Sequence, residues 1–152
     1  MNCLLRSTIN QIQNKIIKLN CDINRGGCIT FAKYLSKELE KRDIKFQVVF
    51  IDEKYYLTSL KKAIIEKQYN DLFSIFHVAL KIEDLIIDGE KSIKTISDGY
   101  DYIKMKIDSN FLNIYEQNAE WNFTFCRDLF SNKINKIIKA AFKEYEKIKN
   151  MS

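Results

Sequence analysis

Apolar residues recur at steps of three and four at the start of the chain, with polar residues between them. The apolar positions are Leu4, Leu5, Ile9, Ile12, Ile16 and Leu19. This period predicts an amphipathic helix over residues 4–19. A turn-rich segment follows over residues 20–27, and the helical period then returns over residues 28–42, which predicts a second helix beginning at Cys28.

The pattern changes in the middle of the chain. Residues 45–52 (KFQVVFID) form a β-branched and aromatic run bounded by charges, which predicts a strand. Residues 58–69 return to the helical period, and Thr58 is placed to cap the start of that helix.

Two further apolar runs, residues 72–82 and 85–88, flank Glu83 and Asp84. Such a short link between two strand-like runs predicts an antiparallel hairpin. The link contains no glycine, so a neighbouring register remains an alternative.

If those two acidic residues form the loop, Asp88 lies opposite Ala79 and diagonal to His77 on the same face. The Asp88 side chain is then a neighbour of the His77 ring. A shift of one residue would move Asp88 to the other face. The alternatives for its place would then be Asp84, Glu83 and Glu90.

The last third of the chain is mostly helical in pattern. Residues 97–101 predict a loop, residues 102–107 a strand and residues 111–117 a short helix. A long helical period over residues 123–148 predicts a C-terminal helix.

Together these elements predict the α+β class. A chain of 152 residues without proline, repeats or a Gly/Ser-rich linker is expected to form one domain, residues 1–152. The core is expected over about residues 20–107, and the C-terminal helical part over about residues 108–150.

Composition and charge exclude several functional classes. The formal net charge of +5 arises from 25 basic and 20 acidic residues, which is too mild to indicate specific binding to nucleic acid. The apolar runs are shorter than the ~18 residues of a membrane span, and the N-terminus does not resemble a secretory signal. The expected location is the cytoplasm, without a membrane partner.

The single histidine and the absence of any CxxC pair predict no metal site and no cofactor. Four cysteines at irregular spacing give no disulfide framework in a reducing compartment. Each is therefore considered singly, and Cys3, Cys21 and Cys126 are interpreted as structural.

Cys28 stands apart because it follows Gly26 and Gly27 at the start of a predicted helix. The partial positive charge at a helix N-terminus stabilises a thiolate, and glycines let a substrate approach closely. The alternative is that Cys28 is a small apolar residue buried in the first turn, which is the common fate of a free cysteine.

His77 favours the reactive interpretation of Cys28. A histidine among aromatic and aliphatic strand residues lies either in the core with a partner or at a cleft, where it acts as a base. The predicted hairpin supplies Asp88 as the partner, so one ring nitrogen bonds the carboxylate while the other faces the thiol.

The runs GGCITFAKYLSKEL, HVALKI and LIIDGE, in that order, resemble the papain-like cysteine peptidase superfamily. Within it, the resemblance is to the compact branches that include NlpC/P60 and transglutaminase-like proteins, and it spans roughly residues 20–90. It implies a central helix that carries the cysteine and packs on a small antiparallel sheet, with additional N- and C-terminal helices.

The resemblance implies that Cys28 is the nucleophile, His77 the general base and acid, and Asp88 the residue that orients the histidine. Members of the superfamily often place a polar side chain upstream to help bind the oxyanion. Asn24 and Asp22 are the candidates here, supported by Gly27 and by the Cys28 backbone N–H at the helix start.

The expected function is a cysteine-dependent hydrolase, a peptidase or amidase with a peptide or protein substrate, that acts through an acyl-thioester. The alternatives are a transglutaminase-like acyltransferase and a catalytically silent papain-like domain in a phage or mobile-element assembly. A helical interaction module is the third, and its lysines would be Lys133, Lys136, Lys139, Lys143, Lys147 and Lys149.

Overall fold

A computed structural model of the chain describes residues 1–21, 23, 27–66, 77–105, 112, 116 and 124–152. Its helices are α1 (Cys3–Leu19), α2 (Cys28–Glu40), α3 (Lys54–Ile65) and α4 (Thr124–Asn150). Its strands are β1 (Gln47–Glu53), β2 (His77–Ile82), β3 (Leu85–Ile87), β4 (Ser92–Ile93) and β5 (Tyr100–Met105). This content confirms the predicted α+β class.

The helix α1 begins and ends as its sequence predicts. The Asn2 side chain accepts a hydrogen bond from the Leu5 N–H at 2.8 Å, which caps the first turn. At the other end Asn20 adopts the left-handed conformation, with a φ of 51°, and stops the helix. The helix α2 begins at Cys28, as predicted, and ends at Glu40, before a turn.

The strands form one antiparallel sheet in the order β4-β3-β2-β1-β5. Ile82 pairs with Leu85 and Leu80 with Ile87, so Glu83 and Asp84 form the two-residue link. The predicted register is therefore confirmed. Glu83 has a φ of 53°, the conformation that tight hairpin links of this kind require.

The main core lies between one face of the sheet and the helices α1, α2 and α4. It includes the fully buried side chains of Ile9, Ile12, Ile16, Phe31, Leu35, Leu39, Phe50, Leu80 and Phe142. A smaller cluster covers the other face and contains Val49, Ile51, Ala79 and Ile86. Alternation along β1 and β2 places successive residues in the two clusters.

Two boundaries and one strand differ from those expected from the sequence. The helix α3 begins at Lys54, so Thr58 lies inside the helix and is not its N-cap. The strand β5 begins at Tyr100, within the expected loop, because Tyr100 and Asp101 pair with the end of β1. The short strand β4 was not expected from the sequence. Ser92 and Ile93 form it by pairing with Ile87 and Ile86 of β3.

Some sequence-based expectations concern residues outside the described part of the chain. These are Asp22, Asn24, Gly26, the first half of the run over residues 72–82, and most of the expected short helix over residues 111–117. Of that expected helix, Leu112 and Glu116 are described, and both are buried. Among the described helices, none is long and apolar enough to cross a membrane.

Candidate active site

The helix α2 presents Cys28 at its first position. The cysteine is 7% exposed, and Gly27 is the N-cap residue, so no side chain caps the first turn from that position. The Phe31 N–H donates to the Gly27 carbonyl at 3.1 Å, which starts the helical ladder. The earlier N–H groups of the turn are the ones that a helix leaves without an internal partner.

His77 is the first residue of β2 and pairs with Ile51 of β1. It is 9% exposed, and its Nε2 donates a hydrogen bond to Asp88 Oδ2 at 2.9 Å. The sequence-derived register placed these two side chains side by side, and the structure brings them into direct contact.

Asp88 is held by a turn that directly follows β3. Its Oδ1 accepts from the N–H groups of Glu90 at 2.8 Å and Lys91 at 2.9 Å, and its own N–H donates to the Lys91 carbonyl at 3.0 Å. Because Oδ1 is bound by the turn, Oδ2 is held facing His77. One carboxylate thus organises the turn and binds the imidazole.

Cys28 lies close enough to His77 to raise the pKa of its ring. Since Nε2 is engaged by Asp88, Nδ1 is the ring nitrogen left for the thiol. The structure therefore brings together the three residues that the sequence singled out, with a hydrogen bond between His77 and Asp88 and an electrostatic interaction between His77 and Cys28.

The electrostatics of this site favour the charged form of His77. Burial by itself lowers the pKa of His77, but the hydrogen bonds to Asp88 and Cys28 and the charges of these two groups raise it to about 9. Burial likewise raises the pKa of Asp88, yet the His77 hydrogen bond and charge and the turn N–H groups hold it below its usual range. Asp88 and His77 thus stabilise each other's charged forms.

Gly89 lets a second loop approach this turn. A Cβ built on Gly89 would lie 2.6 Å from Ile23 Cγ1 and 3.0 Å from Ile23 Cγ2. Ile23 is 2% exposed and precedes α2 in the chain. The loop that leads into the cysteine helix therefore packs directly on the turn that carries Asp88, and this contact requires a glycine.

One residue of this region was missed from the sequence. Gln13 of α1 is buried, and its Nε2 donates to the Asp88 carbonyl at 3.0 Å and to Ser92 Oγ at 3.2 Å. Its position four residues after Ile9 and three before Ile16 places it on the buried face of α1. A polar residue at that spacing was the available signal.

The other residues considered from the sequence lie away from Cys28, His77 and Asp88 or outside the described residues. Asp84 forms an exposed ion pair with Lys94 at 3.7 Å, and Glu90 contributes its backbone N–H to the turn. Asn24 lies outside the described residues. Cys3 is exposed and Cys21 is buried.

Within the described ranges, no group of three or more His, Cys, Asp and Glu side chains is arranged to hold a metal ion.

Comparison with protein-family models, curated proteins and solved structures finds no match to the chain.

Proposed function

We propose that this protein is a cysteine-dependent hydrolase that cleaves an amide bond of a peptide or protein through an acyl-thioester. The observation that carries the proposal is the position of His77, which is hydrogen-bonded to Asp88 and close enough to Cys28 for the two groups to interact electrostatically. A nucleophile, a base within hydrogen-bond reach and a third group that orients the base are the parts that nucleophilic catalysis requires.

The charge state of His77 suits a thiol nucleophile. With a pKa of about 9, the ring is an imidazolium at pH 7. A neighbouring imidazolium favours the thiolate form of a cysteine, and the thiolate is the reactive species. The start of α2 adds the partial positive charge of a helix N-terminus at the same sulfur.

In the first step, the Cys28 sulfur attacks the carbonyl carbon of the substrate and forms a C–S bond. The carbonyl oxygen becomes an oxyanion, which the free N–H groups of the first turn of α2 would stabilise. His77 then gives its Nδ1 proton to the leaving nitrogen, the C–N bond breaks, and an acyl-thioester remains.

In the second step, water hydrolyses the thioester. The neutral His77 ring accepts a proton from the attacking water, the C–S bond breaks, and the thiolate–imidazolium pair is restored. Asp88 keeps the same orientation of the ring through both steps because it accepts a hydrogen bond from Nε2. An amine in place of water would give acyl transfer by the same route.

The fold supports the comparison with papain-like proteins made from the sequence. A helix that begins at Cys28 packs on an antiparallel sheet, and His77 and Asp88 lie on the second strand and after the third. We infer a papain-like arrangement from this order, with α1 and α4 as the additional helices. A reducing compartment such as the cytoplasm would keep the thiol available.

The first test is the rate at which each cysteine reacts with iodoacetamide at pH 7, measured by mass spectrometry of peptides. We expect Cys28 to react at least tenfold faster than Cys3, although Cys3 is exposed and Cys28 is buried. The epoxide E-64 should modify Cys28 as well. Equally slow labelling of all four cysteines would refute the proposal.

The second test is turnover of a mixed peptide library, followed through the appearance of new amino groups. We expect activity in the wild type and its loss in Cys28→Ala and in His77→Ala, since the chain has no other histidine. An activated Cys28 without turnover would instead support the silent binding domain.

A further inference from the structure

The side chain of Gln13 connects the helix α1 to the turn that carries Asp88. Its Nε2 donates to the Asp88 carbonyl at 3.0 Å and to Ser92 Oγ at 3.2 Å, and Gln13 is 4% exposed. A buried amide that bonds both Asp88 and the first residue of β4 is a specific contact, because a buried polar group without a partner costs free energy.

The Asp88 turn is held from several sides. Its local bonds run from the Glu90 and Lys91 N–H groups to Oδ1 and from the Asp88 N–H to the Lys91 carbonyl, and they fix the shape of the turn. The strands β3 and β4 on either side tie it to the sheet. The Gln13 bond to the Asp88 carbonyl is the side-chain bond that ties it to α1.

We propose that Gln13 is a positioning residue for the site: its amide holds the Asp88 backbone so that Oδ2 stays within hydrogen-bond distance of His77. The proposal rests on the proposed function, since it assigns Gln13 a part in orienting the histidine. Gln13 acts through Asp88, and the substrate meets Cys28 and His77.

The His77–Asp88 bond is 2.9 Å long, and a shift of the turn by about 1 Å away from the ring would lengthen it to about 3.9 Å, beyond hydrogen-bond distance. Removal of the Gln13 amide leaves the Asp88 carbonyl without its buried donor, so the turn would relax towards solvent or another partner. Asp88 and Cys28, the two residues that raise the pKa of His77, stay unchanged in every variant below.

The test uses His77, the single histidine of the chain, as a reporter. Its pKa is measured by NMR titration of the ring protons in Gln13→Met, which keeps the length of the side chain and removes the amide. We expect the pKa to fall by about one unit and the alkylation of Cys28 to slow about tenfold, the factor that corresponds to one pKa unit.

The matched control is Thr8→Val in the same helix. Thr8 is 4% exposed, and its Oγ1 donates to the Leu4 carbonyl at 2.9 Å, so the variant also loses one buried hydrogen bond of α1. We expect it to lose stability without a change in the pKa of His77. Ser92→Ala, which leaves the bond from Gln13 to Asp88 intact, should also leave that pKa unchanged.

An unchanged His77 pKa in folded Gln13→Met overturns the proposal, and so does an equal fall in Thr8→Val or Ser92→Ala. If Gln13→Met does not fold, Gln13→Asn decides by the same readout, because its amide is shorter by one bond, about 1.5 Å, and no longer reaches the carbonyl. A wild-type His77 that titrates normally with an unreactive Cys28 would instead defeat the proposed function itself.

Discussion

At the scale of single residues, the site depends on a histidine that interacts with both Asp88 and Cys28. Burial alone would keep His77 neutral, and the opposite outcome arises because Asp88 and Cys28 act on the same ring. Removing one partner at a time therefore separates their contributions.

Asp88→Asn keeps the shape of the side chain and removes its charge. We expect the pKa of His77 to fall from about 9 by about 1–3 units, the range by which one neighbouring carboxylate shifts a titrating group. NMR titration of the single histidine measures this shift directly. Asp84→Asn, in the same hairpin but with a mostly exposed side chain, is the control and should leave the pKa unchanged. A value still near 9 in Asp88→Asn would show that Asp88 is not the main cause.

The raised pKa of His77 also predicts how stability depends on pH. The pKa is about 9 in the folded state and 6.5 in the unfolded chain, so the stabilisation is complete below pH 6.5 and is lost as the pH rises through 9. The difference corresponds to at most about 3 kcal/mol of unfolding free energy. Asp88 has the opposite sign: its lowered pKa stabilises the fold above its usual value of 3.8, and this is lost as the pH falls.

Urea unfolding of the wild type and of His77→Gln, at several pH values from 5 to 10, measures this contribution. Because thiols titrate in the same range, the informative quantity is the difference in unfolding free energy between the two proteins. We expect that difference to change by about 3 kcal/mol between pH 6 and 10, in favour of the wild type at low pH. Parallel curves would contradict the assigned pKa.

At the scale of elements, the sequence predicts best where a short link joins two strand-like runs. Of the two registers left open by the link of Glu83 and Asp84, the structure adopts the one with these two residues as the loop, and the contact between His77 and Asp88 follows from it. The start of α3 was misplaced because Thr58 resembles a cap, whereas the helix begins directly after β1. Gln13 was missed because its partners are distant in sequence, and periodicity along α1 gives no information about the turn it contacts.

The contact between Gly89 and Ile23 joins the turn after β3 to the loop before α2. Gly89→Ala places a Cβ 2.6 Å from Ile23 Cγ1, and we expect a loss of about 1–3 kcal/mol from overpacking. Ile23→Ala removes both clashing atoms, so the double variant should be more stable than the sum of the single effects predicts, by at least about 0.5 kcal/mol. Chemical denaturation of the four proteins completes this cycle.

Gly99→Ala is the matched control for that cycle. Gly99 has a φ of 84° and open space around its Cβ position, so an alanine there is strained by the backbone alone, at a cost of about 1–2 kcal/mol. We expect this cost to be the same with and without Ile23→Ala. Additive effects of Gly89→Ala and Ile23→Ala would show that the two loops do not press on each other.

At the scale of the whole molecule, the site lies where several elements converge. Cys28 begins α2, His77 begins β2, Asp88 follows β3, and Gln13 reaches this region from α1. The far end of α2 is fixed separately, by Arg42. Its guanidinium binds Glu38 Oε2 at 2.7 Å and Glu146 Oε1 at 2.6 Å and lies 4.7 Å from the Phe142 ring.

This arrangement predicts that a substitution at the far end of α2 lowers the free energy of unfolding without changing the chemistry of the site. Arg42→Met preserves much of the packing on Phe142 and removes the charge, and we expect a loss of about 2 kcal/mol because Glu38 keeps Lys41 as its other partner. Burial raises the pKa of Glu38, but Lys41 and Arg42 hold it below 4.5, so the penalty should shrink as the pH falls below that value. Lys147→Ala, which breaks an exposed pair on α4, should have little effect.

The decisive comparison is between the unfolding free energy of Arg42→Met and the pKa of its His77. Arg42 ties the end of α2 to α4, whereas the site lies at the start of α2. We therefore expect the unfolding free energy to fall and the pKa of His77 to stay near 9. A pKa that falls together with stability would mean that α2 transmits displacement along its length. In that case the position of Cys28 relative to His77 would depend on the whole helical layer, and the local bonds of the Asp88 turn would not be sufficient to maintain it.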